Sequence, residues 1–420
     1  MPQSAITLTD TSTLTWETLD DWTRQMLRRY LQAVLEDEVT ELLGRAKSQR
    51  RAPDEPPVYR NGHGEPRRLT TPVGTITVQR PRVRGLNERF ESRVLPLFRR
   101  RTPQVDQLLP ELYLHGLAEG DFDLALRGLL GEDAPISAAS VARLKAVWQQ
   151  EYDAWTQRSL AELDVVYLWV DGVYVKAGLE RQKAALLVAI GALRDGRKVV
   201  LAVTPGVRES TESWSAVLRD LQRRGLNCPR LVIGDGHLGI WGALANVFPE
   251  AGEQRCWNHR ILNILDRIPK QRWPQAKVLL REAMYAPTRA EAVRLQGVFA
   301  KWCERHGCSD AAARLQDDWA RLVAYYDFPR EHWKHLRTTN PVESPFAAVR
   351  LRTTAAKRYR RVENATAVLC LPRPIRRGKT LLLAERRFRK LNAPELLPEV
   401  AAGVRFENGE RVRITEKVAA

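Results

Sequence analysis

The chain lacks the features that would place it in a membrane or outside the cell. No apolar run approaches the ~20 residues that a membrane-spanning helix needs. The opening MPQSAITLTDTST carries neither a basic n-region nor an apolar h-region, so no secretion signal is expected. Five cysteines, at 228, 256, 303, 308 and 370, form no even, regular framework, which suits a reducing compartment. Acidic residues are scarce in one place above all: residues 344–390 hold two Glu against 14 Lys and Arg, a net of +12. A cytoplasmic protein with access to a polyanion is the expectation.

What is present fits that reading. A chain of 420 residues at 44% hydrophobic and 28% charged is globular and long enough for substantial cores, with about three domains expected from length. The formal charge of +17 and pI near 10.0 are unevenly spread. A second basic stretch, RPRVRGLNERFESRVLPLFRRR, covers residues 80–101, whereas the first 40 residues are net acidic. Two separated basic surfaces fit nucleic acid held at more than one place; an extended solvated face is the plainer alternative.

Hydrophobic spacing divides the chain. Residues 15–47 show helical periodicity in one helix or two, with Thr15 or Asp20 as caps. After the breaker RRAPDEPP, the stretch YRNGHGEPRRLTTPVGTITVQRPR alternates apolar and polar residues around Gly and Pro, predicting a small β unit edged with Arg. Residues 101–155 read as three short helices, the last capped by Ser137 or Ser140, either a helix-turn-helix DNA reader or an ordinary bundle. From 160 the texture changes to strands, VVYLWVDGVYV, KAALLVAIGAL and KVVLAVTPGV, the latter two joined by a turn at Asp195-Gly196. Helix TESWSAVLRDLQRRG, strand RLVIGDG, helix LGIWGALANVF and then EQRCWNHR follow, and 261–335 read as mostly helical. Three antiparallel strands followed by alternating helix and strand is the order of a ribonuclease H-like α/β core.

The expected architecture is therefore α/β: a ribonuclease H-like catalytic core with a helical insertion, after a mostly helical N-terminal DNA-binding region that contains the β unit. The expected divisions are a helical segment 1–50, basic β unit 51–102, helix-turn-helix-like region 103–160, first core part 161–260, helical insertion 261–335, core completion 336–400 and tail 401–420.

Asp171 poses the chemical question, because a bare carboxylate inside VVYLWVDGVYV is costly. Two readings are open: Asp171-Gly172 is a hairpin turn, or Asp171 lies on a buried strand and meets a cation. The turn already provided at 195–196 makes a second one less necessary. A second Asp-Gly pair, at Asp235, also ends an apolar run, and the expected sheet sets the two strands side by side. Carboxylates meeting at a sheet edge repel unless a cation lies between them. Glu343, after an Asn-Pro break and before Arg350 and Arg352, is either a helix-start residue or a third ligand.

The segments WVDGVYVKAG, VIGDGHLGIWGAL, FPEAGEQRCWNHRILNIL and RTTNPVESPFAAVRLRT resemble, in order, the successive signatures of the Mutator-type transposases of bacterial insertion sequences. GRA at 44–46, FRRRTP, LYLHGL and ISAASVARL extend the resemblance over nearly the whole chain. It implies a DDE triad at Asp171, Asp235 and Glu343, holding two Mg²⁺ ions (Mn²⁺ able to substitute) for phosphoryl transfer on DNA. It implies binding to the terminal inverted repeats of the element, strand cleavage and strand transfer, a homodimer or higher oligomer on DNA, and a nucleoid-associated location with no membrane partner. DNA contacts are expected from Arg350, Arg352, Lys357 and Arg358 in the basic C-terminal stretch. Cys256 and His259 match the family and are expected to play a hydrogen-bonded structural role near the site; a zinc site drawing on Cys303, His306 and Cys308 is the alternative. His237 either touches phosphate or caps the following helix. A catalytically inactive DNA-binding relic and a hydrolysis-only nuclease are the competing functions. One departure from the family is CLPRPIRRGK at 370–379, where Pro372, Pro374 and Gly378 predict a break or exposed loop.

Overall fold

The computed structural model describes residues 15–114, 122–130, 138–176, 183–206, 209–236, 238–343, 385–386 and 388–412. The chain divides into two compact units, Met1–Tyr113 with Leu117–Leu144, and Leu114–Gly116 with Lys145–Ala420.

In the first unit a single helix, α1 (Trp16–Leu43), covers the N-terminal periodic stretch. Thr15 is its cap: the Thr15 hydroxyl accepts from Thr18 N–H and the Thr18 side chain accepts from Thr15 N–H, which satisfies two backbone donors at once. The basic β unit forms two antiparallel pairs, β1 (Tyr59–His63) with β4 (Pro81–Arg84) and β2 (Arg67–Thr71) with β3 (Gly74–Val78). Leu35 of α1 packs with Leu69, Ile76, Val78 and Leu95 in a small core. Glu38, buried, accepts hydrogen bonds from the backbone N–H of Arg93 and Val94 at 2.9 and 3.2 Å, tying the following loop to α1. Helices α2 (Pro103–Leu114) and α3 (Phe122–Leu130) follow, and then α4 (Ala138–Thr156), whose residues from Lys145 on belong to the second unit. Ser137 lies outside the described residues, and Ser140 falls within α4.

The second unit is built on a five-stranded mixed sheet: β5 (Val165–Lys176), β6 (Lys183–Leu193), β7 (Lys198–Gly206), β8 (Leu231–Gly234) and β9 (Gly252–Arg255). Its spatial order is β7-β6-β5-β8-β9. The first three strands pair antiparallel, and β5–β8 and β8–β9 pair parallel. The turn at Asp195-Gly196 closes β6 to β7, with Leu193 N–H donating to Arg197 C=O at 2.8 Å and Gly196 at φ 82°. At Asp171 there is no turn. The strand runs through it, and Asp171 stands opposite Val188 of β6.

Both faces of the sheet are covered, which explains the near-continuous apolar character of its strands. Leu168 and Val170 of β5 pack with Trp214 and Leu218 of α5 (Thr211–Arg223) and with Ile240 and Leu244 of α6 (Leu238–Val247). Tyr167 and Trp169 point to the other face, toward Trp257 and Ile264 of α7 (Trp257–Leu265) and the largely helical stretch beyond. That stretch includes α8 (Trp273–Met284), α9 (Arg289–Arg305) and α10 (Ser309–Asp317). Strand alternation puts Asp171 on the Tyr167 and Trp169 face, at the end where β8 gives way to Asp235.

Candidate active site

Three chain segments deliver carboxylates to this end of the sheet. Asp171 comes from inside β5 and is buried. Asp235 follows the last residue of β8, the strand that pairs parallel to β5. Glu343 stands in the helical turn that begins at 340, its N–H donating to Thr339 C=O at 3.1 Å. The 330s that lead into it are fixed to β5: the Tyr167 hydroxyl and His332 Nδ1 are 2.8 Å apart, and Trp169 Nε1 donates to His335 C=O at 2.9 Å.

His259 is the hub. Its Nδ1 lies 3.4 Å from Asp235 Oδ1 and 3.8 Å from Glu343 Oε1. It reaches that point because Cys256 caps α7 and His259 sits one turn further on the same face. Cys256 is itself pinned, with its N–H donating to Gly234 C=O at 2.8 Å. Burial pulls the imidazole toward neutrality, but hydrogen bonding to Cys256 and the nearby Cys256, Asp235 and Asp171 charges outweigh it and raise its pKa to about 10. The raised pKa favours the imidazolium form of His259 among these carboxylates.

Asp171 shows the opposite balance. Burial lifts its pKa to about 7; His259 opposes the shift, and Glu209 and Glu343 add to it. Its carboxylate accepts a 2.8 Å hydrogen bond from Gly172 N–H. A buried oxygen donor whose charge is this poorly compensated, with further carboxylates around it, is the donor chemistry of a hard divalent cation.

Two residues of the site were not singled out in the sequence. Glu209, in the connection from β7 to α5, folds its side chain over Gly172: a Cβ at position 172 would stand 2.3 Å from Glu209 Oε1. Only glycine leaves that space, so the Asp-Gly pair at 171 serves a close approach within a strand. The start of α6 holds the same loop, since a Cβ on Gly239 would stand 2.8 Å from Glu209 C=O. Thr339, fully buried, donates its hydroxyl proton to Glu343 Oε1 at 2.7 Å, while its N–H donates to Cys256 Sγ at 3.3 Å. The TTN of RTTNPVE carried that residue, but nothing in its spacing marked Thr339 apart from Thr338.

Cys256, His259 and Glu343 present ligand atoms within 4.8 Å of one another. Cys256 Sγ is engaged by Thr339, and Cys303 and Cys308 are a separate buried pair, the Cys308 thiol donating to Cys303 C=O at 3.6 Å. His306 Nδ1 faces Trp302 C=O at 2.7 Å. Beneath the site, Arg255 and Arg260, both buried, converge on Asp318, with Arg260 Nη2 at 2.9 Å and Arg255 closer still. His237, Arg350, Arg352, Lys357, Arg358 and the 370–379 segment lie outside the described residues.

A buried carboxylate on a central strand, a second at the tip of its parallel neighbour and a third on a later helix define an α/β protein with an acidic site. The chain belongs to the Mutator family of transposases, whose family model matches residues 3–370. It is 43% identical over 306 residues to the transposase for insertion sequence element IS6120 of Mycolicibacterium smegmatis, covering 73% of this chain and 92% of that one. The transposase for element IST2 of Acidithiobacillus ferrooxidans is 41% identical over 296 residues, 69% of this chain and 96% of that one. The transposase for ISRM5 of Rhizobium meliloti is 30% identical over 348 residues, 82% and 85% of the two chains. Among the described residues no helix is long and apolar enough to cross a membrane.

Proposed function

We propose that this chain is the transposase of an insertion sequence, binding the terminal inverted repeats of its element and carrying out Mg²⁺-dependent cleavage and strand transfer through Asp171, Asp235 and Glu343. The observation that carries this reading is the electrostatic cluster of those three side chains about His259, in a chain whose relatives are named insertion sequence transposases. The strand order β7-β6-β5-β8-β9, with three antiparallel strands followed by two parallel ones, supports a ribonuclease H-like core.

The carboxylate set fits Mg²⁺, with Asp171, Asp235 and Glu343 as the residues that would hold it. When bound, the metal would stabilise charge on the attacking and leaving oxygens of a phosphodiester. The chain's own groups do the positioning. Strand β5 fixes Asp171 through its ladder, and Thr339 orients Glu343 by hydrogen bond. The His259 imidazolium offsets the repulsion between Asp235 and Glu343. No covalent protein intermediate is needed, since water or a DNA 3′-hydroxyl is the nucleophile. The test is product analysis on DNA carrying the element's ends with Mg²⁺. Joined products support a transposase, nicked products alone a nuclease, and binding without cleavage a relic.

A further inference from the structure

The first unit holds a cavity of about 360 Å³ that the proposed chemistry does not use, with Arg67, Arg80, Arg82, Arg100, Phe90 and Phe98 among its lining residues. The fold brings Arg67, Arg80 and Arg100 together from three places. Arg67 opens β2, Arg80 follows the end of β3, and Arg100 arrives through the 100–102 segment. That segment is docked on β2, with Thr70 N–H donating to Arg100 C=O at 2.9 Å and Thr102 N–H to Thr70 C=O at 3.0 Å. Like charges gathered this way repel, and acids would normally be expected between them. Among the described residues none of Arg67, Arg80 and Arg100 makes an ion pair. Glu65 is the one carboxylate in the lining, and it is exposed. Burial, then the charges of Arg80 and Arg100, hold the Arg67 guanidinium below its ordinary pKa. Arg80 Nη2 donates to Phe90 C=O at 3.5 Å, yet its Nε is buried with no partner.

Phe98 adds a second, independent sign. It is 86% exposed and stands at φ 68°, a left-handed conformation that non-glycine residues adopt only at a cost. Neither packing nor backbone preference explains an aromatic ring placed there. A ring in that position gives the cationic cavity an apolar rim suited to the sugar or base beside a phosphate.

We propose that this cavity seats backbone phosphates of duplex DNA without regard to sequence, with Arg67, Arg80 and Arg100 as the phosphate contacts and Phe98 against the adjoining nucleotide. The proposal rests on the reading that this chain binds DNA, and it assigns part of that binding to the β unit. Arginine suits the task because its planar fork gives two parallel hydrogen bonds to one phosphate.

The test uses the full-length protein and fluorescence anisotropy on two duplexes, one carrying the element's end and one of scrambled sequence, over a range of salt. R67Q/R100Q, which leaves the Arg80 contact with Phe90 in place, is expected to weaken both duplexes by the same factor, at least fivefold. It should also flatten the salt dependence of log Kd by about two, one for each phosphate that is no longer neutralised. R67K/R100K, which keeps the charge, is expected to restore most of the salt slope. Phe98→Gly, which suits the left-handed backbone, is expected to keep or raise Tm while lowering affinity for both duplexes. Wild-type binding to both duplexes with an unchanged affinity and slope in R67Q/R100Q would overturn the pocket and leave the DNA reading standing. So would a loss confined to the element's end, or displacement of the duplex by millimolar dAMP, which would mark a free-nucleotide site. No binding of either duplex by the wild type would instead overturn the DNA reading itself.

Discussion

The Thr339 hydroxyl donates to Glu343 Oε1 at 2.7 Å, and the same hydroxyl oxygen stands 3.4 Å from His259 Nδ1. A hydroxyl has one proton to give, so the short bond to the carboxylate claims it. The protonated imidazole then donates toward Thr339 and Asp235. One threonine thereby couples the end of the helical turn to the histidine that the other two carboxylates feel.

Replacing Thr339 with Val keeps the volume and removes the donor. Cleavage of end-containing DNA is expected to fall about tenfold, the usual scale for losing a hydrogen bond that orients a ligand side chain, with DNA affinity unchanged. Thr339→Ser is expected to retain most activity. Equal rates for the Val variant and the wild type would remove Thr339 from the site.

Glu209 and Gly172 form a second pair. Gly172→Ala puts a Cβ where Glu209 Oε1 now sits. The far end of a flexible side chain can move, so the protein should fold while Glu209 leaves Asp171. Both Gly172→Ala and Glu209→Ala are expected to lower cleavage, and the double variant to be no worse than the more impaired single one, as for two changes acting on one interaction. Additive losses would show that the two residues act separately.

The buried ion cluster gives a stability prediction. Arg255 and Arg260 share Asp318, and removing its charge leaves the buried Arg255 without its ion pair and Arg260 with only the more distant Asp317, at 4.0 Å. Asp318→Asn is expected to cost about 3 kcal/mol, within the range for breaking a buried pair, read as a lowered urea midpoint. A change under a fifth of that size would mean that water already compensates the arginines.

Acid should loosen the segment that leads to Glu343. His335 has its pKa pulled down to about 4, by burial and then by the Lys198 charge, and burial also lowers His332. Asn392 meets His335 Nε2 with both its backbone N–H, at 3.3 Å, and its side-chain Oδ1, at 3.1 Å. The unfolded chain takes up a proton near pH 6.5 and the folded chain does not, so stability is complete above that value and declines as pH falls toward 4. His335 is partly exposed, so about 1 kcal/mol is expected rather than the full linkage value. Urea midpoints at pH 7 and pH 5 should show the decline, and His335→Gln should reduce it. A flat profile in the wild type would contradict the assignment.

Much of this architecture was legible in the chain because the strand and helix periods are strong. The turn at Asp195-Gly196 stood out by its polar flanks, but at Asp171-Gly172 the residues left a turn and a continuous strand both open, and the β5–β6 ladder decides for the strand. The choice between one N-terminal helix and two, and between Thr15 and Asp20 as its cap, needed the backbone, since both residue types cap well. Asp171 and Asp235 drew notice because each lies on or ends an apolar run, whereas Glu343 taken alone read equally as a helix-start residue, and the three came together as a set only through the resemblance to Mutator-type transposases. Glu209 drew no notice. It lies in an ordinary polar connection, and its place in the site comes from the Cβ that Gly172 lacks and from the close approach of Gly239. Thr339 was hidden for a similar reason: its three partners, Cys256, His259 and Glu343, come from two segments that only the fold brings together.

In the proposed division of labour three carboxylates perform the chemistry while DNA docking uses other parts of the chain. The sharpest measurement is Mg²⁺-dependent cleavage and joining of end-containing DNA by the full-length protein and by Asp171→Ala, Asp235→Ala and Glu343→Ala, with binding measured alongside. Both reactions are expected to be lost in all three variants, by about a thousandfold or more as for a metal-dependent phosphoryl transfer deprived of a ligand, with end binding within about threefold of wild type. Cleavage at the wild-type rate by Asp235→Ala would contradict the assignment of the three carboxylates.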